Sequence, residues 1–235
     1  MKIQPFGEDA LLLSLENEIS PKVNDEVIEI YKILKDTGKF NFLTPAYSSL
    51  TIGIDRTQFT HEEATQLIMK LSGKARKDHK NQQRLITIPV CYDDEFGLDL
   101  EEICQTNRLS KIELIDLHCS VNYKVFMLGF VAGFAYLGAV PPSLRSSRKA
   151  TPRKSVPKGS VGLAGDQTGI YPVEAPGGWQ VIGQTPVHMF NTKKELPNIL
   201  YPGDLVKFRP ISLEEFKIIQ IKEETGIFEL EVEHA

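Results

Sequence analysis

Arg145, Arg148, Lys149, Arg153, Lys154 and Lys158 lie in one short stretch, and no acidic residue falls between Pro141 and Ser160. Prolines 141, 142, 152 and 157 stiffen this stretch. Arginine offers a planar fork of donors that matches a carboxylate or a phosphate, which makes Arg148 and Arg153 candidates for an anion. Lys149, Lys154 and Lys158 read as solvated charges. Just downstream, seven of the 17 glycines fall between Gly159 and Gly183. Among them stand Gln167, Thr168, Tyr171 and the only tryptophan, Trp179, in a Pro176-Gly177-Gly178-Trp179 turn. Glycine permits positive φ and close approach of a ligand to the backbone, and it weakens strands. Two readings follow. One is a surface pocket in which the Gly177 and Gly178 amides form an anion nest, Gln167 orients an amide, Trp179 or Tyr136 forms an apolar wall, and Phe134, Thr168 and Tyr171 also bind the substrate. The other is a run of tight turns in a small β-barrel. Only the first gives the polar residues a role.

Standard catalytic signatures are absent. Lys158-Gly159-Ser160 lacks the context of a phosphate loop, no GxSxG elbow occurs, and His61-Glu62-Glu63-Ala64-Thr65 is not HExxH. The five histidines are scattered without metal-ligand spacing, so no bound metal is expected. His118 ends a predicted helix just before the strand that leads to the glycine-rich region, and is the candidate acid or base near neutral pH.

The elements that must position these groups change character along the chain. Residues 1–15 read as two short strands around Gly7-Glu8-Asp9. Ser20-Pro21 opens a helix whose apolar face is Val23, Val27, Ile28, Ile30, Tyr31 and Leu34. Leu50, Ile52 and Ile54 alternate in a strand over 47–54, with Pro45 marking its approach. Thr60 and Glu63 form a capping box for a second helix. The basic stretch Lys74–Arg84 reads as an exposed linker, followed by a strand over 85–90. Residues 1–90 are therefore expected to be a small α+β domain. Residues 98–118 read as two short helices. Beyond them, short strands at 123–130, 160–164, 179–182, 205–210 and 226–232 punctuated by Gly and Pro indicate a β-barrel domain over 91–235. A short helix is expected around Glu214–Lys217.

Composition narrows the function classes. Net charge is −4 in 235 residues, which gives no general attraction to nucleic acid or anionic lipid. Three cysteines without a CxxC pair point to reduced thiols and a cytoplasmic location. The N-terminus does not read as a signal peptide, and no apolar run approaches the ~20 residues of a spanning helix.

An ordered set of motifs runs through the second half. It comprises Phe96-Gly97-x-Asp99-Leu100, Gly129-Phe130-x-x-Gly133-Phe134-x-Tyr136-Leu137-Gly138, Pro152-Arg153-x-x-Val156-Pro157-x-Gly159-Ser160-Val161 and Gly165-x-Gln167-Thr168-Gly169-Ile170-Tyr171-Pro172. Pro176-Gly177-Gly178-Trp179, Ile182-Gly183-x-Thr185-Pro186 and Pro202-Gly203-Asp204-x-Val206-x-Phe208 complete it. Through these the chain resembles the family of the 5-oxoprolinase B subunit, also called allophanate hydrolase subunit 1, which includes an inhibitor of a sporulation histidine kinase. The resemblance implies a small α+β domain followed by a cyclophilin-like β-barrel. It also implies a partner, the C subunit of the same complex, and beyond it an A subunit. Together these form an ATP-dependent enzyme that opens a small lactam or amide, 5-oxoproline above all. ATP is then shared with the partner subunits, and the isolated chain is expected to be inactive. The alternatives it carries are inhibition of a sensor histidine kinase, or a place in a urea- or allophanate-related amidolyase or carboxylase complex. The chain departs from the usual family residues at Asp93-Asp94, Ala132, Ala135, Ala175 and Gln184.

Overall fold

The computed structural model describes residues 1–16, 18, 20–73 and 83–234. They divide into two units, Met1–Gln82 and Gln83–Ala235. The first contains β1 (Lys2–Pro5), β2 (Ala10–Ser14), α1 (Pro21–Asp36), β3 (Phe42–Pro45), β4 (Ser49–Gly53) and α2 (His61–Ser72). Its antiparallel sheet has the order β1-β2-β4-β3. The two-residue period of a strand puts Leu11, Leu13, Leu50 and Ile52 on one face, where they bury against Val27, Ile30, Leu34 and Ile68 of the helices. Ser20 caps α1 by accepting from the Val23 amide at 3.3 Å. In the α2 box, Thr60 Oγ1 accepts from the Glu63 amide at 3.2 Å and Glu63 Oε2 accepts from the Thr60 amide at 2.8 Å. Pro45, expected to mark the approach to β4, instead closes the separate strand β3, whose short and largely exposed pattern carries no periodic signal.

The second unit contains β5 (Arg84–Cys91), α3 (Leu100–Asn107), α4 (Lys111–Cys119), β6 (Asn122–Leu128), β7 (Ala135–Gly138) and a 3-10 turn at Pro142–Leu144. It continues with β8 (Arg153–Val156), β9 (Ser160–Ala164), β10 (Gln167–Ile170), β11 (Ala175–Gly177), β12 (Gln180–Gln184), β13 (Leu205–Ile211), α5 (Leu213–Glu224) and β14 (Glu231–His234). Strands β12-β9-β10-β7-β6-β13-β5 follow one another, and the pairing of Gln184 with Cys91 closes them into a barrel. β14 adds to β5 outside that ring. Ile86, Ile88 and Val90 alternate into a core shared with Val125, Leu163, Ile182 and Phe208. The chain is thus α+β, a small α+β unit followed by a cyclophilin-like β-barrel.

One boundary differs from expectation. The strand at Arg84–Cys91, assigned by sequence to the first domain, lies parallel to β13 and belongs to the barrel. A hydrophobic run does not reveal which sheet it joins, because its partner is over a hundred residues away. Of the basic stretch Lys74–Arg84, residues 74–82 lie outside the described residues. Arg84 itself opens β5 and is ion-paired with Asp204.

Candidate functional site

The basic loop is anchored by a residue fifty positions upstream. Asp99, at the start of α3, is 3% exposed. It accepts both arms of the Arg153 guanidinium at 2.8 and 2.6 Å, Lys149 Nζ at 2.8 Å and the Val181 amide at 2.7 Å. Its own amide donates to the Val181 carbonyl at 2.8 Å. Burial alone would push the Asp99 carboxyl up, but the hydrogen bonds from Arg153, Lys149 and Val181 outweigh it and hold the group below its ordinary value. Lys149 also reaches Glu102 at 3.1 Å and Gln180 at 3.4 Å. Its amide donates to the Gly178 carbonyl at 2.8 Å. Helix α3, strand β12 and the 145–153 loop are thereby fastened at one point.

Two expectations change here. Arg153 does not offer its fork to a ligand, because Asp99 already occupies both arms. Lys149 is not a solvated charge but part of the same anchor. Arg145 and Arg148, by contrast, are exposed. They line a cleft of about 550 Å³ with Ser147 and Thr151 of the loop, Thr106 of α3 and Gln180 of β12. The Arg148 guanidinium carbon stands 6.0 Å from the Trp179 ring centre, within reach of a cation–π contact. The cleft therefore presents two exposed arginines, hydroxyl groups and an amide, a donor set suited to an anion, while Lys149 and Glu102, which also line it, are paired with each other.

The predicted aromatic residues do converge. Phe134 lies edge-to-face with Tyr136 at 4.9 Å, Tyr171 at 5.2 Å and Trp179 at 5.3 Å. Phe134, Tyr171 and Trp179 are buried, so this is a packed cluster more than an open wall, and Tyr136 is the half-exposed member. The cluster also explains several glycines. A Cβ on Gly169 would lie 2.9 Å from both the Ala135 carbonyl oxygen and the Trp179 ring. Gly177 backs onto the Tyr171 hydroxyl in the same way. Gly177 and Gly178 do not adopt left-handed backbone, so the expected anion nest is not formed there. Gly169→Ala is expected to cost about 1–3 kcal/mol by overpacking. An unchanged denaturation midpoint would show that the ring can shift freely.

His118 and Thr168 are separate from this cluster. Successive residues of a strand point to opposite faces, so Gly169 lies under Trp179 while Thr168 faces the barrel core. Thr168 Oγ1 donates its proton to the Gly162 carbonyl at 3.1 Å, and so accepts from His118 Nε2 at 3.0 Å. His118 Nδ1 then carries the lone pair and accepts from the Tyr92 hydroxyl at 2.7 Å. The imidazole stacks on Phe208 at 4.5 Å. Full burial lowers its pKa to about 3. His118 is consequently a neutral internal link between α4, β10 and Tyr92, and the expectation of a neutral-pH acid or base does not hold. Gln167, paired with Gly138 across the β7–β10 ladder, falls on the Trp179 face by the same alternation.

Sequence reasoning missed Asp99, Thr106 and Gln180. Asp99 sits in a quoted motif, but nothing local shows that it faces the basic loop. Cys91, Cys104 and Cys119 are free thiols. Among the described residues no cluster of His, Cys, Asp and Glu could hold a metal ion, and no helix is long and apolar enough to cross a membrane.

Comparison with known proteins agrees with this architecture. Residues 1–200 match the model of the carboxyltransferase domain, subdomains C and D. The chain is 37% identical over 227 residues to the 5-oxoprolinase B subunit of Bacillus subtilis (strain 168), covering 92% of this chain and 95% of that protein. It is 35% identical over 205 residues to the 5-oxoprolinase B subunit of Escherichia coli O157:H7, covering 87% and 94%. The solved structure of TTHA0988 matches with a TM-score of 0.78 at 32% identity over 86% of this chain, which spans 40% of that longer one. Similarity over nearly the full length of the first two relatives, together with the α+β unit and closed barrel, places this chain in the family of the 5-oxoprolinase B subunit (allophanate hydrolase subunit 1).

Proposed function

We propose that this chain is the B subunit of a cytoplasmic, ATP-dependent 5-oxoprolinase that works with separate A and C subunits. The observation that carries the reading is the 37% identity spanning 95% of a 5-oxoprolinase B subunit. The chemistry requires activation, since a five-membered lactam is stable toward water. Transfer of a phosphoryl group from ATP to the lactam oxygen turns that oxygen into a leaving group. Water then adds to the activated carbon and the ring nitrogen departs as the amine, leaving an acyl phosphate; a second water releases the phosphate, so that glutamate, ADP and phosphate are the products. Such a site needs fixed donors where negative charge is held and develops. Arg148, exposed in the cleft and braced over Trp179, serves as the anion-binding residue, with Arg145 beside it. Arg153 acts at one remove, by holding the loop on Asp99. The chain has no phosphate loop, so the ATP site is shared with the partner subunits.

The test is reconstitution with the A and C subunits, 5-oxoproline and ATP. Turnover is expected only in the mixture, and full activity of the isolated chain would overturn the shared-site reading. Arg148→Gln should lower kcat/KM of the assembled enzyme about 10- to 100-fold, the worth of one or two charge-assisted hydrogen bonds, with an unchanged melting temperature. Inhibition of a histidine kinase's autophosphorylation, with no turnover in any reconstituted mixture, would replace this reading with an inhibitory one.

A further inference from the structure

Phe130 has no part in the cleft, yet the backbone holds it out. It stands at the tip of the β6–β7 hairpin with φ +66°, a left-handed conformation that a bulky side chain rarely adopts. The Val131 amide donates to the Gly129 carbonyl at 2.8 Å across it, which makes Phe130 the centre of a γ-turn of the rare, positive-φ kind. The Gly129 amide to the Phe134 carbonyl at 3.1 Å, and the Phe134 amide to the Val131 carbonyl at 3.0 Å, lock the tip from both sides. Phe130 is 58% exposed. Its edge-to-face contact with Phe134, 5.7 Å between centres, fixes where it points. A single exposed apolar residue is ordinary, but a bulky one held out on strained backbone points to a function for its ring.

We infer that Phe130 is a docking knob that inserts into an apolar socket on the C subunit of the complex, with acidic groups of that partner at the socket's rim. This rests on the multi-subunit reading above. Three observations favour a protein over a small ligand. Phe130 does not line the cleft between α3 and the 145–151 loop, so it is not a wall of that cavity. A single protruding aromatic on a rigid tip is the form of an interface anchor. The solved relative TTHA0988 carries the equivalent module as 40% of one longer chain, so additional polypeptide accompanies this fold there. The charge of the rim follows from the neighbouring surface. Phe134 joins Phe130 to Trp179, and Trp179 lies under exposed Arg148, beside exposed Arg145. A face of that sign is complemented by carboxylates.

The test uses Phe130→Gly in the full chain, titrated against the C subunit of the same organism by calorimetry, with the melting temperature measured in parallel. Glycine accepts positive φ without penalty, so the isolated variant should melt at the wild-type temperature or above it. Association should weaken about 30-fold, the loss of a central anchor. Raising salt should weaken association of both forms, through the charged rim. Unchanged affinity of the variant overturns the knob and leaves the multi-subunit reading standing. Unchanged affinity with a lower kcat/KM in the saturated complex also overturns it, and makes Phe130 a substrate contact instead. Failure of the wild-type chain to bind the C subunit overturns the knob, and failure to bind the A subunit as well overturns the multi-subunit reading with it.

Discussion

Asp99→Ala is expected to destabilise the barrel unit by about 3–5 kcal/mol, the cost of removing one partner from a buried ion pair. The loss is large because four donors converge on one carboxylate: both arms of Arg153, Lys149 and the Val181 amide. Without the carboxylate, Arg153 and the Val181 amide lose their acceptor and Lys149 keeps only the exposed Glu102 as an anionic partner. The 145–153 loop then keeps only weaker ties, such as the Lys149 amide to the Gly178 carbonyl and Gln180 Nε2 to the Ser147 carbonyl at 3.1 Å. Activity of the assembled enzyme should fall in the same variant, because Arg148 is positioned by that loop. Urea unfolding of the isolated chain checks the stability, and limited trypsin digestion checks the loop, whose cleavage at Arg145 and Arg148 should accelerate. A loss below about 1 kcal/mol would mean that solvent already screens the cluster as it does a surface pair. Arg153→Lys should fall between wild type and Asp99→Ala, since lysine keeps the charge but not the fork.

Between pH 6.5 and 4.5 the wild-type chain should lose about 2 kcal/mol more stability than His118→Gln. The sign follows from the folded-state pKa of about 3 against an ordinary value of 6.5. Well above pH 6.5 neither state is protonated at His118, and the full stabilisation is present. As the pH falls through 6.5 the unfolded chain takes up a proton that the folded chain refuses. Stability then declines by up to about 1.4 kcal/mol per pH unit until the folded state also protonates. Burial among Tyr92, Thr168 and Phe208 is the cause, since the imidazole's ring nitrogens are already committed and a charge there has no water. Carboxylates that titrate toward the acid end act on both proteins alike and cancel in the comparison. Urea midpoints measured at half-unit intervals decide it, and parallel curves for the two proteins would show that His118 protonates in place.

Much of the local structure was legible because it depends on neighbours in sequence. Ser20-Pro21 and the Thr60–Glu63 box mark helix starts through bonds three residues long. The alternation of Leu50, Ile52 and Ile54 marks a buried sheet face by its period. The glycine-rich run was legible as unusual but not in its cause. Gly169 and Gly177 read equally well as ligand loops or as space for a ring, and only the position of Trp179 and Tyr171 separates these. β7, β8, β10 and β11, each four residues or fewer, left no pattern long enough to detect.

Residue order and composition establish that a basic, proline-stiffened loop precedes a glycine-rich one and that aromatic residues stand among them. They also establish the ordered motifs that tie the chain to its family. Which cations are free is decided elsewhere, by packing. Asp99 lies 54 residues from Arg153, and no rule of spacing states that the two will meet, so the Arg153 fork is occupied while Arg148 faces the cleft. The same holds for His118 and Thr168, 50 residues apart. Whether a polar side chain serves a ligand or another side chain depends on which face of which strand it occupies, and the closing of a barrel sets that through contacts between residues distant in sequence.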